Sequence, residues 1–451
     1  MTAAENKLAV FAHLDGAWAP CGLLSMTEEA ETVLASSFAY GLRYLERHGA
    51  IEIDPVSLSL QDKEAVRGRA LYPGGGLNLF GGIRDAAPDA WGRRVIEAKL
   101  KVPANSLPES TYLLHGGSDR VGALDVRQAL TDAPQAGYND WNSLQYLIEG
   151  AERIEEGLPV PANLEVIFRG GSALGGARPK ASVRDEQGVL WLAKFSSRND
   201  YFNMPIVEAA TLQLAAACGL TVPPVRVVHL ASRIVVLVRR FDRYWEAPTA
   251  HGTHAVLPAD FMSRQPEPGM IEKRLPFISG LTLLGCDESE SPTKAYADLA
   301  HAIRRYAHAD VIRHSNQELF ARMIYNILVS NDDDHLRNHG FIWDPGLQGW
   351  RLSPLYDVMP RPSSAYERYL HLGIGRQGNV ATLDNALSAR EAFTLSEREA
   401  AQTMAQVWAE VREWRVYFDS YGVPPEEAEK VAPAFRHIDH VSSAELRRLL
   451  P

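Results

Sequence analysis

The chain has 451 residues, of which 46% are hydrophobic, and a formal charge of −10 at pH 7 from 46 basic and 56 acidic side chains. This length exceeds what one hydrophobic core usually serves, so we expect two or three subdomains. The acidic balance argues against a strong intrinsic nucleic-acid surface, which needs an excess of Lys and Arg on one face. Cys21, Cys218 and Cys286 are far apart and lack metal-ligand spacing, which favours a reducing compartment.

The N-terminal part begins with a predicted strand over residues 8–13, a turn at Asp15-Gly16 and a second strand. An amphipathic helix is predicted over residues 28–47. The first residues lack a basic leader followed by an apolar core, so we expect no signal peptide. No stretch has the length and apolarity of a membrane span, and we expect a cytoplasmic protein.

A Gly- and Pro-punctuated segment, residues 132–161, marks a domain join. The predicted organisation is therefore an α+β N-terminal subdomain (1–160), a strand-rich segment (161–243) and a mostly helical remainder (244–451).

Residues 170–176 include four glycines, and Arg178 and Lys180 follow. Backbone amides and cations of such a loop suit an approach to phosphates. The spacing matches neither G-x-G-x-x-G nor a Walker A loop, and a linker is the alternative. Its position one hairpin ahead of Lys194 favours a phosphate-covering loop.

Lys194 lies near the end of a predicted apolar strand, residues 189–195. A buried, unpaired ammonium group is costly, and Glu208 in a predicted helix over residues 206–218 can supply a partner. The alternative is a strand lysine whose ammonium reaches water.

The most informative stretch is Asn331-Asp332-Asp333-Asp334-His335-Leu336-Arg337-Asn338. A helix with a predicted Ser315-x-x-Glu318 capping box leads into it, and a predicted hairpin (340–343 and 350–352) returns Asp357 beside Asn338. An acid, an Asn five positions later and a second acid form a set that phosphoryl transfer needs. The alternative is a solvated acidic turn.

Together these motifs resemble the HipA-like serine/threonine kinases, the toxin halves of bacterial toxin–antitoxin pairs. The resemblance covers nearly the whole chain and is carried by residues 80–85, 89–94, 119–124, 175–180, 192–195, 238–243, 331–341 and 352–358.

The resemblance implies an α+β, protein-kinase-like fold of two lobes, with ATP and Mg²⁺ as cofactors. Asp333 would be the catalytic acid, and Asn338 and Asp357 would bind Mg²⁺. Lys194 would contact the ATP phosphates, and residues 239–241 would form the hinge beside the adenine. The predicted nucleotide-contacting residues are Lys194, Glu208, Gly175, Gly176, Ala177, Lys180, Arg239, Phe241 and His335.

The family's known targets are aminoacyl-tRNA synthetases, and its members bind operator DNA together with a small helix-turn-helix antitoxin. The resemblance therefore implies a protein substrate such as a synthetase, a HipB-type partner, and DNA contact only through that partner.

In the family, a serine in the Gly-rich loop is autophosphorylated, which ejects the loop. The matching position here is Ala173, with Ser172 one residue earlier, so this switch is either lost or shifted to Ser172.

Two rival functions stay open. A small-molecule phosphotransferase shares the catalytic spacing, but the N-terminal 160 residues and the 175–180 run count against it. A non-catalytic antitoxin-binding regulator is opposed by the intact Lys194, Asp333, Asn338 and Asp357.

Overall fold

The computed structural model describes residues 3–135, 137–172, 176–230, 233–248 and 255–450. The chain forms two compact units. The first unit comprises Met1–Arg198, Val228–Ile278 and Ile342–Leu347, and the second comprises Asn199–Val227, Ser279–Phe341 and Gln348–Pro451. The boundaries predicted at residues 160 and 243 stay proposals.

Strands dominate the N-terminal part and helices the C-terminal part, so the α+β prediction is confirmed. The strands are β1 Ala4–Leu14, β2 Ala17–Glu29, β3 Thr32–Tyr40, β4 Leu124–Arg127, β5 Asn139–Asp140, β6 Lys180–Arg184, β7 Leu190–Lys194, β8 Val225–Leu230, β9 Arg233–Arg239, β10 Arg243–Glu246, β11 Ile271–Arg274, β12 Phe277–Ser279, β13 Gly340–Asp344 and β14 Gly349–Leu352.

The helices are α1 Leu42–Leu45, α2 Lys63–Val66, α3 Gly81–Asp85, α4 Ala90–Leu100, α5 Glu109–His115, α6 Leu144–Glu155, α7 Ile167–Gly170, α8 Met204–Ala217, α9 Gly280–Leu284, α10 Tyr296–Tyr306, α11 Ala309–Val329, α12 Leu383–Ser388, α13 Glu397–Val411, α14 Trp414–Ser420, α15 Pro425–Val431, α16 Ile438–Val441 and α17 Ala444–Leu449. Among the described residues, none of these helices combines the length and the apolarity that crossing a membrane would need.

The first unit opens with the antiparallel hairpin β1–β2, as predicted. Its turn runs through Asp15 and Gly16, which take positive φ angles of 49° and 85°. The flanking strands complete a sheet of order β3-β2-β1-β4. Leu8, Val10 and Phe38 lie in the apolar cluster that this sheet buries.

The prediction of a helix over residues 28–47 is wrong, because this segment contains the end of β2, a turn and the strand β3. Ala30 takes a φ of 52°, which interrupts any helix. Burial then alternates along β3, with Ser36, Phe38 and Tyr40 buried, and this two-residue period is typical of a strand. Only the four-residue helix α1 follows.

The second sheet of the first unit has the order β5-β6-β7-β9-β8. Trp91 of α4, Leu147 of α6 and Ile167 of α7 share an apolar cluster with Trp191 of β7 and Leu237 of β9. The strand predicted around Lys194 is present as β7, and α4, α6 and α7 pack against its sheet.

The second unit is organised around α11, a helix of 21 residues. The apolar face predicted for this helix is fully buried, and it consists of Leu319, Phe320, Met323, Ile324, Ile327 and Leu328. The predicted hairpin after the acidic loop is present as β13–β14. The helix thus forms a stiff support directly ahead of the acidic loop.

The capping box predicted at Ser315 and Glu318 is wrong. The helix already begins at Ala309, so Ser315 lies inside it and is buried. The Glu318 carboxylate instead accepts hydrogen bonds from Arg322 Nη2 at 2.5 Å and from Thr221 Oγ1 at 3.0 Å. A capping pattern inside a longer helix is not a helix start.

Candidate active site

The acidic loop begins where α11 ends. Ser330 closes this helix in the left-handed conformation, with φ 51°, and this reverses the chain direction into Asn331. The Asn338 amide nitrogen donates a hydrogen bond to the Asp333 carbonyl oxygen at 2.8 Å. The loop is therefore closed on itself over the five positions that the sequence motif spans.

The Asp333 carboxylate is accessible, because 48% of its side chain is exposed. Arg361 Nη2 donates to Asp333 Oδ2 at 2.6 Å, and the Nε of the same guanidinium lies 3.1 Å from Asp332 Oδ1. Arg361 belongs to none of the sequence motifs, although it lies only four residues beyond Asp357. One guanidinium thus spans both accessible acids of the loop.

The segment that bears Asp357 lies against the segment that bears Asn338. The Tyr356 hydroxyl donates to the Arg337 carbonyl oxygen at 2.7 Å, and these two residues directly precede Asp357 and Asn338. Asp357 is exposed and takes a φ of 56°. A non-glycine residue in this region is uncommon and often marks a functional site.

The donor set of this loop suits Mg²⁺. The Asn338 nitrogen already donates to a carbonyl, so the amide oxygen is the atom that can face a cation. Within the described ranges, no three His, Cys, Asp or Glu side chains form a group that could hold a metal. Mg²⁺ does not need such a cage, since it is usually held by one or two carboxylates, substrate phosphates and water. Asn338 and Asp357 fit that pattern.

The third acid of the loop has a different environment. Asp334 is buried, with 1% exposure, and accepts hydrogen bonds from the Tyr296 hydroxyl at 2.6 Å and from the His371 amide at 2.8 Å. Burial raises the pKa of Asp334 to about 7. Neither Tyr296 nor His371 was selected from the sequence, because both are far from Asp334 along the chain.

Two histidines of the loop lie beside this acid. The His335 ring is 5.9 Å from the His371 ring, centroid to centroid, and His371 Nε2 is 2.9 Å from Ser291 Oγ. His339 is fully buried, which lowers its pKa to about 3, and its Nε2 lies 3.3 Å from the Asp334 carbonyl oxygen. His335 therefore packs within the second unit, and its nucleotide contact stays a prediction.

The predicted phosphate lysine ends a strand of the first unit. Lys194 is half-buried at the end of β7, directly opposite Lys180 in β6. Glu208 is buried in α8, which belongs to the second unit. The pairing of Lys194 with Glu208 stays a prediction.

The C-terminal end of the Gly-rich loop is anchored to the start of α4. The Gly176 amide donates to Asp89 Oδ2 at 3.0 Å, and the Gly176 carbonyl accepts from the Trp91 amide at 2.9 Å. The Trp91 indole donates to the Lys180 carbonyl at 2.8 Å. Gly176 takes a φ of 79°, a backbone conformation that residues with a Cβ rarely adopt, so this position favours glycine.

Other residues of this loop differ in exposure. Ala177 is exposed, whereas Ser172 is 5% exposed, with its hydroxyl 3.5 Å from the Phe168 carbonyl oxygen. Ala173 and Gly175 lie outside the described residues. The loop's N-terminal end is thus held by α7 and its C-terminal end by α4.

In the predicted hinge, Arg239 and Arg240 are buried and Phe241 is half-buried. Arg239 Nη2 donates to the Arg264 carbonyl at 2.5 Å, and the Phe241 ring packs 6.1 Å from that of Phe277, centroid to centroid, against an apolar cluster that contains Tyr244. Arg239 and Phe241 therefore both contact neighbouring residues of the first unit. Their predicted contacts with a nucleotide stay predictions.

The remaining residues of the hinge motif form a buried charge network. Asp242 accepts from Arg240 Nη2 at 2.6 Å, from Arg243 Nη1 at 2.8 Å and from the Gly122 amide at 2.7 Å. Both arginines also donate to the Arg120 carbonyl. Within the first unit, hydrogen bonds therefore join the motif at residues 239–243 to the motif at residues 119–124.

The sequence profile of the HipA-like C-terminal domain matches residues 172–415, which is more than half of the chain. The chain belongs to the HipA-like family. The family recognised from its motifs is thereby confirmed.

A relative of this HipA-like chain in Sinorhizobium fredii (strain NBRC 101917 / NGR234) bears the name "Putative kinase Y4mE". The two are 27% identical over 362 residues, which are 77% of this chain and 77% of the relative. A chain of the solved Shewanella oneidensis MR-1 toxin–antitoxin complex of HipA, HipB and operator DNA is 16% identical. That likeness has a TM-score of 0.59 and covers 98% of this chain and 96% of the other. It shows the fold, and the predicted kinase-like fold class is confirmed.

The HipA-like domain contains Lys194, Glu208, Asp333, Asn338 and Asp357. Asp89 and Trp91 lie before it. The Gly-rich loop of this HipA-like chain is therefore anchored by residues outside the domain that defines the family.

Proposed function

We propose that this chain is an ATP- and Mg²⁺-dependent protein serine/threonine kinase of the HipA type. The observation that carries the proposal is the closed loop from Asp333 to Asn338, joined to the Asp357 segment by the bond between Tyr356 and Arg337. These are the positions that the phosphoryl-transfer pattern requires. The name of the Sinorhizobium fredii relative and the fold of the HipA complex support it.

In this mechanism, Asp333 orients the substrate hydroxyl and accepts its proton. Asn338 and Asp357 would hold Mg²⁺, which supplies charge stabilisation to the transferring phosphoryl group. Lys194 would contact the phosphates from the strand β7. The Gly-rich loop, fixed by Asp89 and Trp91, would cover them with backbone amides.

The substrate in this proposal is a protein of the translation apparatus, such as an aminoacyl-tRNA synthetase, and the protein acts in the cytoplasm. The partner is a small helix-turn-helix protein of the HipB type. Contact with DNA occurs through that partner, in keeping with the net charge of −10 on this chain.

The test is incubation of the purified protein with γ-labelled ATP, Mg²⁺ and a bacterial lysate. We expect label on a protein band, carried by phosphoserine or phosphothreonine. The matched control is Asp333→Ala, which removes a half-exposed side chain and leaves the core intact. Label on a small molecule would indicate the rival phosphotransferase, and no label with either protein would indicate the non-catalytic regulator.

A further inference from the structure

A chain of buried hydrogen bonds runs beneath the acidic loop. It starts at Asp334, whose carboxylate accepts from the His371 amide and from the Tyr296 hydroxyl. The Tyr296 oxygen in turn accepts from Asn326 Nδ2 at 2.8 Å. Tyr296 is the first residue of α10, and Asn326 lies in α11. These hydrogen bonds therefore connect the acidic loop to both helices.

The series of hydrogen bonds continues to the segment that bears Asp357. Asn331 Nδ2 donates to Asn326 Oδ1 at 3.1 Å, and Asn331 Oδ1 accepts from the Met359 amide at 3.3 Å. Met359 is two residues beyond Asp357. We call Asp334, Tyr296, Asn326 and Asn331 the buried relay, and each of them is at most 2% exposed.

The hydrogens of the buried relay have a single consistent arrangement. The Tyr296 oxygen receives a hydrogen from the Asn326 amide, so its own hydrogen points to Asp334. The other carboxylate oxygen receives the hydrogen of the His371 amide. Both bonds are donated to Asp334, one to each oxygen, so both favour its charged carboxylate form.

We propose that Asp334 and Tyr296 are positioning residues, which hold the catalytic loop in register with the segment that bears Asp357. This inference rests on the proposed function, because the two segments matter as the carriers of Asp333 and Asp357. The buried relay begins at Asp334, one residue after Asp333. Its last member, Asn331, accepts a hydrogen bond from the amide of Met359, two residues after Asp357. A shift of about 1 Å between such groups can cost about a hundredfold in rate.

Burying the negative charge of Asp334 costs free energy. Burial raises its pKa to about 7, and the bonds from Tyr296 and His371 lower it only in part. The groups that face it or its partners are His339, with a pKa lowered to about 3 by burial, His371, whose pKa burial also lowers, and Arg322, whose charge acts on Tyr296 and His339. A neutral residue would cost less here, which points to a task for the carboxylate.

The test compares two single-hydroxyl deletions, Tyr296→Phe and Tyr325→Phe. Both tyrosines are fully buried, and the control Tyr325 donates to the Thr211 carbonyl at 2.6 Å, outside the buried relay. We expect Tyr296→Phe to lower kcat about tenfold or more while Mg²⁺-ATP binding is kept. The acid limb of the kcat profile should also move to higher pH, because the lost bond lowers the pKa of Asp334.

Tyr325→Phe should change neither quantity. Equal effects of both substitutions, or an unchanged kcat and pH profile in Tyr296→Phe, would overturn the inference. Amide hydrogen exchange gives a second readout that needs no catalysis: Tyr296→Phe should speed exchange at His371 and Met359, and Tyr325→Phe should not. If the wild type transfers no phosphate, the proposed function fails, while the exchange measurement still decides the relay.

Discussion

Three consecutive aspartates of one loop acquire three different environments. Asp332 and Asp333 face solvent and share the guanidinium of Arg361, whereas Asp334 is buried among hydrogen-bond donors. The side chains are chemically identical, so their surroundings decide what each can do. A proton acceptor must be accessible to a substrate, and Asp333 combines accessibility with the loop closure by Asn338.

The substitutions Asp333→Asn and Asp357→Asn should separate chemistry from nucleotide binding. We expect each to lower phosphate transfer about a hundredfold or more, because each removes a charge that the transition state uses. Asp333→Asn should bind Mg²⁺-ATP nearly normally, and Asp357→Asn should bind it more weakly. Transfer assays and calorimetric titration, with and without Mg²⁺, measure the two effects. Wild-type transfer rates in either variant would contradict the assignment.

The pH dependence of the free energy of unfolding should reveal the titration of the Asp334 carboxyl group. Its pKa is raised from 3.8 to about 7, so the folded state holds this proton more tightly than the unfolded state. Its contribution to stability is complete below the unfolded pKa and is lost as the pH rises through about 7. We expect the wild type to lose more free energy of unfolding than Asp334→Asn between about pH 5 and about pH 8. Urea unfolding of both proteins across this range is the measurement, and parallel stability curves would contradict it.

At the scale of elements, the sequence predicted what local periodicity encodes. The apolar face of α11, the hairpin β13–β14 and the strand of Lys194 were all predictable, because each repeats a short pattern. The strand β3 was not, since its burial depends on pairing with β2 and not on composition. The partners of Asp334 were equally hidden, because Tyr296 and His371 are 38 and 37 residues away along the chain.

The start of α4 gives an element-scale prediction. Asp89 caps this helix and also binds the Gly176 amide, so Asp89→Ala should loosen the Gly-rich loop. We expect the KM for ATP to rise about two- to tenfold, the worth of one hydrogen bond. The matched control is Asp62→Ala, because Asp62 caps α2 in the same unit by accepting from the Ala65 amide. An unchanged KM in Asp89→Ala, or an equal rise in the control, would contradict the role.

At the scale of the whole molecule, residues that precede the HipA-like domain take part in its architecture. The motif at residues 119–124 supplies carbonyls to Arg240 and Arg243, and α4 supplies the anchor of the Gly-rich loop. The first unit therefore combines residues before the HipA-like domain with residues inside it.

Expression of the whole chain should arrest bacterial growth through kinase activity. We expect the Asp333→Ala form, produced at the same level, to be harmless, because it folds but transfers no phosphate. Colony counts and growth curves after induction are the measurement. Equal toxicity of both forms would point to sequestration or aggregation, and that result would contradict the kinase-based effect.

The buried position of Ser172 has a kinetic consequence. Its hydroxyl lies against the Phe168 carbonyl and only 5% of the residue is exposed, so a phosphate can reach it only after the chain around α7 opens locally. If Ser172 is the site of self-phosphorylation, the rate would be the equilibrium constant for this opening multiplied by the rate constant of the chemical step. We expect about 1 M urea, well below global unfolding, to speed phosphate incorporation at Ser172 in time courses of intact mass. A rate that is unchanged or slower in urea would mean that opening does not limit the reaction. If Ser172 is the modified residue, its phosphorylation would measure how often the segment around α7 has opened.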